Sequence, residues 1–288
     1  MSLQSAHAIR SVPDQRRTEF RPSAPIGSRP GRRLGLGRPV AYGWVLGPLL
    51  LLGLWALGSA THVIDTRTLP APWTVVTAAG DLIAQGRLQQ HLATSGRRVI
   101  EGLALGVLAG VVIGLISGLS RTGEYLFDGI IQIKRSIPVL ALIPLLMLWF
   151  GIGEGMKVTV IALSVFIPIY LQLHDGLRGI DSRYVELAET LRVSQVDFIR
   201  HVILPGALPG LLMGLRYAVT TALLALVVVE QVNATSGIGY MIDLARSYGQ
   251  ANIILVGLVV YAVLGFSADA LVRLVQRTVL PWQRTFAG

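Results

Sequence analysis

Long runs without a charged side chain recur along this chain, and they constrain its fold more than any other feature. Tyr42–Ala60, YGWVLGPLLLLGLWALGSA, carries no charge. A helix of about 20 apolar residues is enough to cross the hydrocarbon core of a bilayer. No water is available there, so backbone polar groups must be satisfied within the segment, and an apolar run of this length reads as a helix. Similar runs cover Val99–Leu119, a third stretch ending near Phe150, Val158–Leu173, Leu208–Glu230 and Ile253–Leu271. The sequence therefore predicts an all-α membrane protein with six transmembrane helices. Only 14% of its 288 residues are charged and 52% are hydrophobic, against about 25% charged in a soluble protein.

Between the predicted spans the chain organises itself as follows. Residues 1–39 read as a disordered basic cytoplasmic tail, rich in Arg, Ser and Pro. Residues 40–95 hold the first span and an outer amphipathic segment, with Trp73, Val76, Ala79 and Leu82 at helical spacing over Pro72–Ile83. Residues 96–280 form the core, including a polar loop at 174–205, and residues 281–288 a second cytoplasmic tail. Gly151–Lys157 reads as an outer turn. Asn233–Gln250 reads as an outer loop with a Gly237-Ile238-Gly239 turn.

The net charge of +9 raises nucleic acid as a partner until its placement is traced. Arg121, Lys134, Arg135, Arg178, Arg183, Arg192, Arg200, Arg273, Arg277, Arg284 and the tail arginines fall on one predicted side. Arg67, Arg87, Lys157 and Arg246 fall on the other. This asymmetry predicts both termini in the cytoplasm and no nucleic-acid partner.

Three features of the spans carry chemistry. Gly102, Gly106, Gly110, Gly114 and Gly118 recur every four residues and line one side of the second span, where a neighbouring backbone can approach closely. Arg97 and Glu101, four apart, can neutralise each other at its start. Pro138 and Pro144 predict bends, and Pro168 lies inside the fourth span. Ionisable groups inside spans are functional candidates by default. Arg216, with Thr220 and Thr221 a turn beyond and Glu230 further along, is the main candidate for lining a path. Its structural reading is that Arg216 pairs with a carboxylate or reaches the inner headgroups. Gln132, Lys134 and Arg135 read as groups at the inner interface.

Catalytic patterns are missing. GIGEGMKV lacks the glycine and hydroxyl of a nucleotide-binding loop, and G-L-I-S-G at 114–118 is part of the glycine ladder. No histidines have metal-ligand spacing, and there is no cysteine. The chain is therefore expected to be no enzyme and to bind no metal or cofactor itself.

The polar loop is patterned as two short helices. Tyr184, Leu187, Ala188 and Leu191 share one face. Ser194 and Asp197 form a capping box for the second helix, whose apolar face is Val196, Ile199, Val202 and Ile203. Pro205 and Pro209 follow, where a membrane helix must start afresh or bend.

This loop resembles the EAA loop of ABC-importer permeases, E-A-A-x3-G-x9-I-x-L-P. Glu186, Leu187 and Ala188 take its first three places, Arg192 the glycine, Val202 the isoleucine, and Leu204-Pro205 the last pair. The stretch KRSIPVLALIPLLMLWFGIGEGMK resembles permeases for aliphatic sulfonates, taurine and nitrate. The resemblance covers about residues 90–280. It implies a type I ABC-importer permease fold, with the loop as a coupling helix docked on an ATP-binding subunit dimer. It further implies ATP-Mg on that partner, an extracytoplasmic solute-binding protein, a homodimer of this chain and a small anionic solute. A self-sufficient secondary transporter or channel is the alternative, which inverted repeats would favour; none are apparent. Glycine at 192 would leave the first helix with positive φ; arginine there requires either a different turn or a partner that offsets strain.

Overall fold

In a computed structural model of the chain, residues 43–66 and 68–280 are described. The basic tail 1–39, Tyr42, Arg67 and the tail 281–288 lie outside the described residues. The chain divides at Pro48/Leu49 into two units. Of the first, Gly43–Pro48 is described, the opening turns of helix α1 (Gly43–Ala60). The second holds everything that follows.

All regular structure among the described residues is helical. After α1 come α2 (Pro72–Ala84) and α3 (Arg87–Leu119), then α4 (Arg121–Ser136). A 3-10 turn (Val139–Leu142) leads into α5 (Ile143–Phe150), followed by α6 (Glu154–Arg178). Next are α7 (Ser182–Thr190) and α8 (Gln195–Phe198). A π turn (Ile199–Ile203) leads into α9 (Leu204–Asn233), and α10 (Ile238–Ser247) and α11 (Ala251–Val279) complete the order.

Four segments are long and apolar enough to cross a membrane: α3, α6, the α8–α9 rod and α11. The expected third span is instead two pieces, α4 and 139–150, meeting at 90°. Counted as one broken span, it brings the number to five among the described residues. The break falls at Ile137-Pro138, where the proline disfavours helix in the residue before it and its fixed φ redirects the chain. Expected boundaries also move. α6 begins at Glu154, so the preceding turn is only Gly151–Gly153, and α3 starts twelve residues before Val99.

Pro205 does not start a new helix. The rod runs from Gln195 through Pro205 and Pro209 to Asn233. Proline lacks an N–H and crowds the carbonyl one turn back. The π turn absorbs this: the Leu204 N–H reaches back five residues to the Ile199 carbonyl.

α6 is the central helix, packed between α3 and α9. Met156, Val160, Ile161, Val165 and Ile169 are fully buried there with Ala218, Ala222 and Leu226 of α9. A second cluster joins Val75, Ala78 and Leu82 of α2 to Ile238, Met241 and Ile242 of α10 and Val256 of α11. Of the residues at helical spacing on α2, Leu82 is buried in this cluster and Ala79 packs against it, while Trp73 and Val76 are exposed.

The α7–α8 turn shows how Arg192 replaces a glycine. Arg192 has φ 51. Its N–H donates to the Glu189 carbonyl (3.1 Å), and the Val193 N–H donates to the Ala188 carbonyl (2.9 Å). This is the Schellman arrangement, which satisfies the last carbonyls of a helix at the cost of one left-handed residue. The same pattern closes α10, with Gly249 at φ 67 in that position. Among the described residues Arg192 has no ion-pair partner. Arg192→Gly should therefore relieve strain and raise stability by about 1 kcal/mol, read as a higher melting midpoint in detergent. A lower midpoint would show a favourable contact at Arg192.

Candidate functional site

The glycine ladder of α3 faces α6 of the same chain. A Cβ at Gly106 would lie 2.6 Å from the Ala162 carbonyl oxygen and 2.6 Å from Val165 Cβ; at Gly110 it would lie 2.7 Å from Ile169 Cγ2. Gly102 meets Ile161, Gly114 meets Leu173 and Gly118 meets Leu177. The Ser117 and Tyr170 hydroxyls, both buried, hydrogen bond across this seam at 2.8 Å. A second ladder went unread in the sequence. Gly206, Gly210 and Gly214 on α9 have the same spacing, and at Gly214 a Cβ would lie 3.0 Å from the Pro168 carbonyl of α6. The spacing was the available signal.

At the Glu154 end of α6, five helices meet on one buried polar cluster. Arg98 of α3 is 1% exposed. Its Nε and Nη2 donate to both carboxylate oxygens of Glu154, at 2.6 and 2.7 Å. Its Nη1 donates to Glu230 Oε1 of α9 and to the Ser236 carbonyl, both at 2.7 Å. Lys157 Nζ donates to Glu154 at 2.9 Å. Two cations and two carboxylates thus cancel. Arg98, Lys157 and Glu230 are buried charges, which require such partners, and Glu154 closes the cluster at the surface, its side chain 58% exposed.

Glu230, also 1% exposed, uses both oxygens fully. It accepts from Ser95 Oγ (2.8 and 2.9 Å), from the Gly239 N–H opening α10 (2.8 Å) and from the Tyr261 hydroxyl of α11 (3.2 Å). The Ile238 N–H donates to Ser95 Oγ (2.9 Å) and the Gly237 N–H to His91 Nδ1 (3.1 Å). The N-terminus of a helix favours an anion, and here the carboxylate is the protein's own. Gly237 is required twice over. Its φ is 116, and a Cβ would lie 2.7 Å from Arg98 Nη1.

The Gly237-Ile238-Gly239 turn therefore marks the start of α10, which the cluster ties to α3, α6, α9 and α11. In this geometry Glu230 is enclosed and anchors the start of α10. The sequence pointed to Arg97 and Glu101, which do pair at 2.6 Å but on the surface. It did not point to Arg98, because an adjacent arginine pair gives no sign of which member turns inward.

Arg216 meets a carboxylate. Its Nε donates to Asp269 Oδ1 of α11 at 2.9 Å, and Arg273 also bonds Asp269. All three are partly exposed. Thr220 donates to the Arg216 carbonyl of its own helix at 3.3 Å and lines a cavity between α9 and α11.

The loop residues stand out from the bundle. Glu186 is exposed, as are Tyr184 (55%), Leu187 (54%), Leu191 (66%) and Val196 (73%), and Ala188 is half-buried. Val202 and Pro205 are half-buried in the rod, and Leu204 is 40% exposed. Asp181 caps α7 by accepting from the Arg183 N–H. Ser194 caps α8 by accepting from the Asp197 N–H at 3.1 Å.

Residues 106–281 match the family model described as "binding-protein-dependent transport system inner membrane component". The chain is 37% identical to the SsuC protein of Bacillus subtilis, named for aliphatic sulfonates transport, over 91% of this chain and 94% of that one. It is 44% identical to the SsuC protein of Escherichia coli, over 84% and 92% of the two chains. With the taurine transport permease TauC of Escherichia coli it shares 34% over 81% and 86%. A solved chain of an amino acid ABC transporter with histidines superposes with a TM-score of 0.55 at 19% identity. That match covers 65% of this chain and 92% of the other, and shows a shared fold.

Proposed function

The chain belongs to the family of binding-protein-dependent transport system inner membrane components and is a permease subunit of an ABC importer; from that premise we propose that its solute is a small organic sulfonate. The observation that carries this is the identity with two relatives named for aliphatic sulfonates and a third named for taurine, each over at least four-fifths of this chain. Nitrate is the smaller anion with which sulfonates must be compared.

In this reading two copies of the chain form the path, with both termini in the cytoplasm. An ATP-binding dimer carrying ATP-Mg docks on α7 and α8, and an extracytoplasmic receptor delivers the solute. Support for the docking comes from the loop. Apolar side chains left in the open beside Glu186 and Glu189 are what a partner's groove would cover. Leu187, Ala188, Arg192, Val202, Leu204 and Pro205 set the shape of that element. Arg216 and Thr220 belong to the proposed path. Arg216 and Arg273 together exceed Asp269 by one positive charge, which would lower the barrier to an anion. Glu230 would hold the wall of that path in place.

The test is ATP-dependent uptake into proteoliposomes holding this chain, its ATPase and its receptor. Butanesulfonate and taurine should be taken up and should outcompete nitrate. Uptake of a cationic solute in their place would overturn the reading. Glu186→Lys should insert and assemble as a permease yet lose co-purification of the ATPase. Reversing a charge in a desolvated interface costs about 2–5 kcal/mol. Full coupled uptake by Glu186→Lys would remove the docking assignment.

A further inference from the structure

The break between α4 and the 3-10 turn opens a cavity of about 290 Å³ against α6 and α9. Its chemistry starts from Pro168. That residue has no N–H, so the Ser164 carbonyl one turn back lacks its helical partner. The Thr221 hydroxyl of α9 lies 3.1 Å from it and 3.0 Å from the Ala218 carbonyl of its own helix, and shares its one proton between them. Beside it the Leu163 carbonyl accepts from Lys134 Nζ at 2.7 Å. Helix breaks in membranes persist where side chains satisfy freed carbonyls in this way.

Lys134, in the last turn of α4, reaches the backbone of α6 well inside that helix. Leu163 lies nine residues into α6, roughly 14 Å from the Glu154 end at 1.5 Å per residue. An ammonium has three donors, and one is used. Among the described residues neither Lys134 nor Arg135 has a carboxylate partner. Both line the cavity with Ser164 and Thr221, and Leu140 of the 3-10 turn and Ile167 of α6 are among its apolar lining residues. A cation held at this depth without a counter-charge calls for water or an anion.

We propose that this cavity is a transit site for an amphiphilic anion, whose sulfonate head meets Lys134 and Arg135 while its alkyl chain lies against Leu140 and Ile167. The assignment rests on the sulfonate reading above and adds to it the residues that would meet the head group and the tail. The volume is at the lower end of ligand pockets, about 300–1,000 Å³, which suits a short chain. One cation bonded to a backbone carbonyl and one guanidinium without a partner among the described residues give a site that attracts without trapping, as conduction requires.

The test uses the same proteoliposomes, with methanesulfonate and hexanesulfonate as probes. Arg135 makes no hydrogen bond or ion pair among the described residues, so Arg135→Gln leaves the fold unburdened. It should slow uptake of both probes several-fold, whereas Lys134→Met should slow both by about tenfold or more. Leu140→Trp fills space at the apolar lining without replacing either cation, and should depress hexanesulfonate uptake far more than methanesulfonate uptake. Receptor-stimulated ATP hydrolysis shows whether each variant is assembled. If the wild type carries neither these probes nor butanesulfonate and taurine, the sulfonate reading fails. If the wild type carries both, while Arg135→Gln transports normally and Leu140→Trp leaves the ratio of the two probes unchanged, the transit site fails and the sulfonate reading stands.

Discussion

Replacing Arg98 with methionine is expected to destabilise the folded chain by about 3–5 kcal/mol, the cost of breaking a buried ion pair from one side. Methionine replaces the aliphatic stem out to about the Nε position and donates nothing. Glu230 would remain 1% exposed with its charge uncompensated, and Glu154 would lose a two-pronged partner. The Ser236 carbonyl would also lose its donor. Because the cluster ties α10 to four other helices, the α9–α11 end of the bundle should loosen with it. The measurement is the melting midpoint in detergent, followed by the monodisperse peak in size exclusion. Arg97→Met, one residue away and exposed, is the control. Its pair with Glu101 is a surface i,i+4 contact, for which about 0.3–0.5 kcal/mol is usual. Adding Glu230→Gln to Arg98→Met should recover part of the loss, since the stranded charge is then gone. Equal midpoints for Arg98→Met and Arg97→Met would show that the cluster does not hold the bundle.

Gly106→Val is expected to be the most damaging single change along the α3–α6 seam. The new Cβ would meet the Ala162 carbonyl oxygen and Val165 Cβ, both at 2.6 Å. One neighbour is backbone and the other is branched at that very carbon, so neither can turn aside. The helices must separate, and dispersion falls off steeply with separation. Overpacking of this kind costs about 1–3 kcal/mol, and in a seam of five such contacts the neighbouring ones suffer too. Gly114→Ala should be milder, because its nearest neighbour is Leu173 Cδ2 at 3.1 Å, the far end of a flexible side chain. Gly96→Ala meets nothing within 4 Å and should stabilise α3 by up to about 1 kcal/mol through helix propensity. A Gly106→Val protein that melts with the wild type would overturn the close-packing account of the ladder.

Much of this molecule is written in local pattern. Apolar runs, the glycine period and the capping pair Ser194–Asp197 are short-range features, each acting through its own helix. They were legible in the sequence because hydrocarbon allows an apolar run few other structures. The loop carrying Glu186 was legible for a related reason, since its exposed apolar residues follow a helical period that the bundle does not use. Pro138 announced a bend but not its 90° angle, since a proline blocks the straight path without choosing among the others.

What the sequence by itself determined, then, is the helical class, the approximate helices, the membrane setting and the family. What only the tertiary structure decided is which charges are neutralised and by whom. Arg98 with Glu230 spans 132 residues of chain, Arg216 with Asp269 spans 53, and Lys134 reaches the Leu163 carbonyl across 29. No local period encodes such partners. Each is fixed by the rotation of a helix about its axis and by how near its neighbour can come, and those are set by packing across the whole bundle, here chiefly by where side chains are missing from α3 and α9.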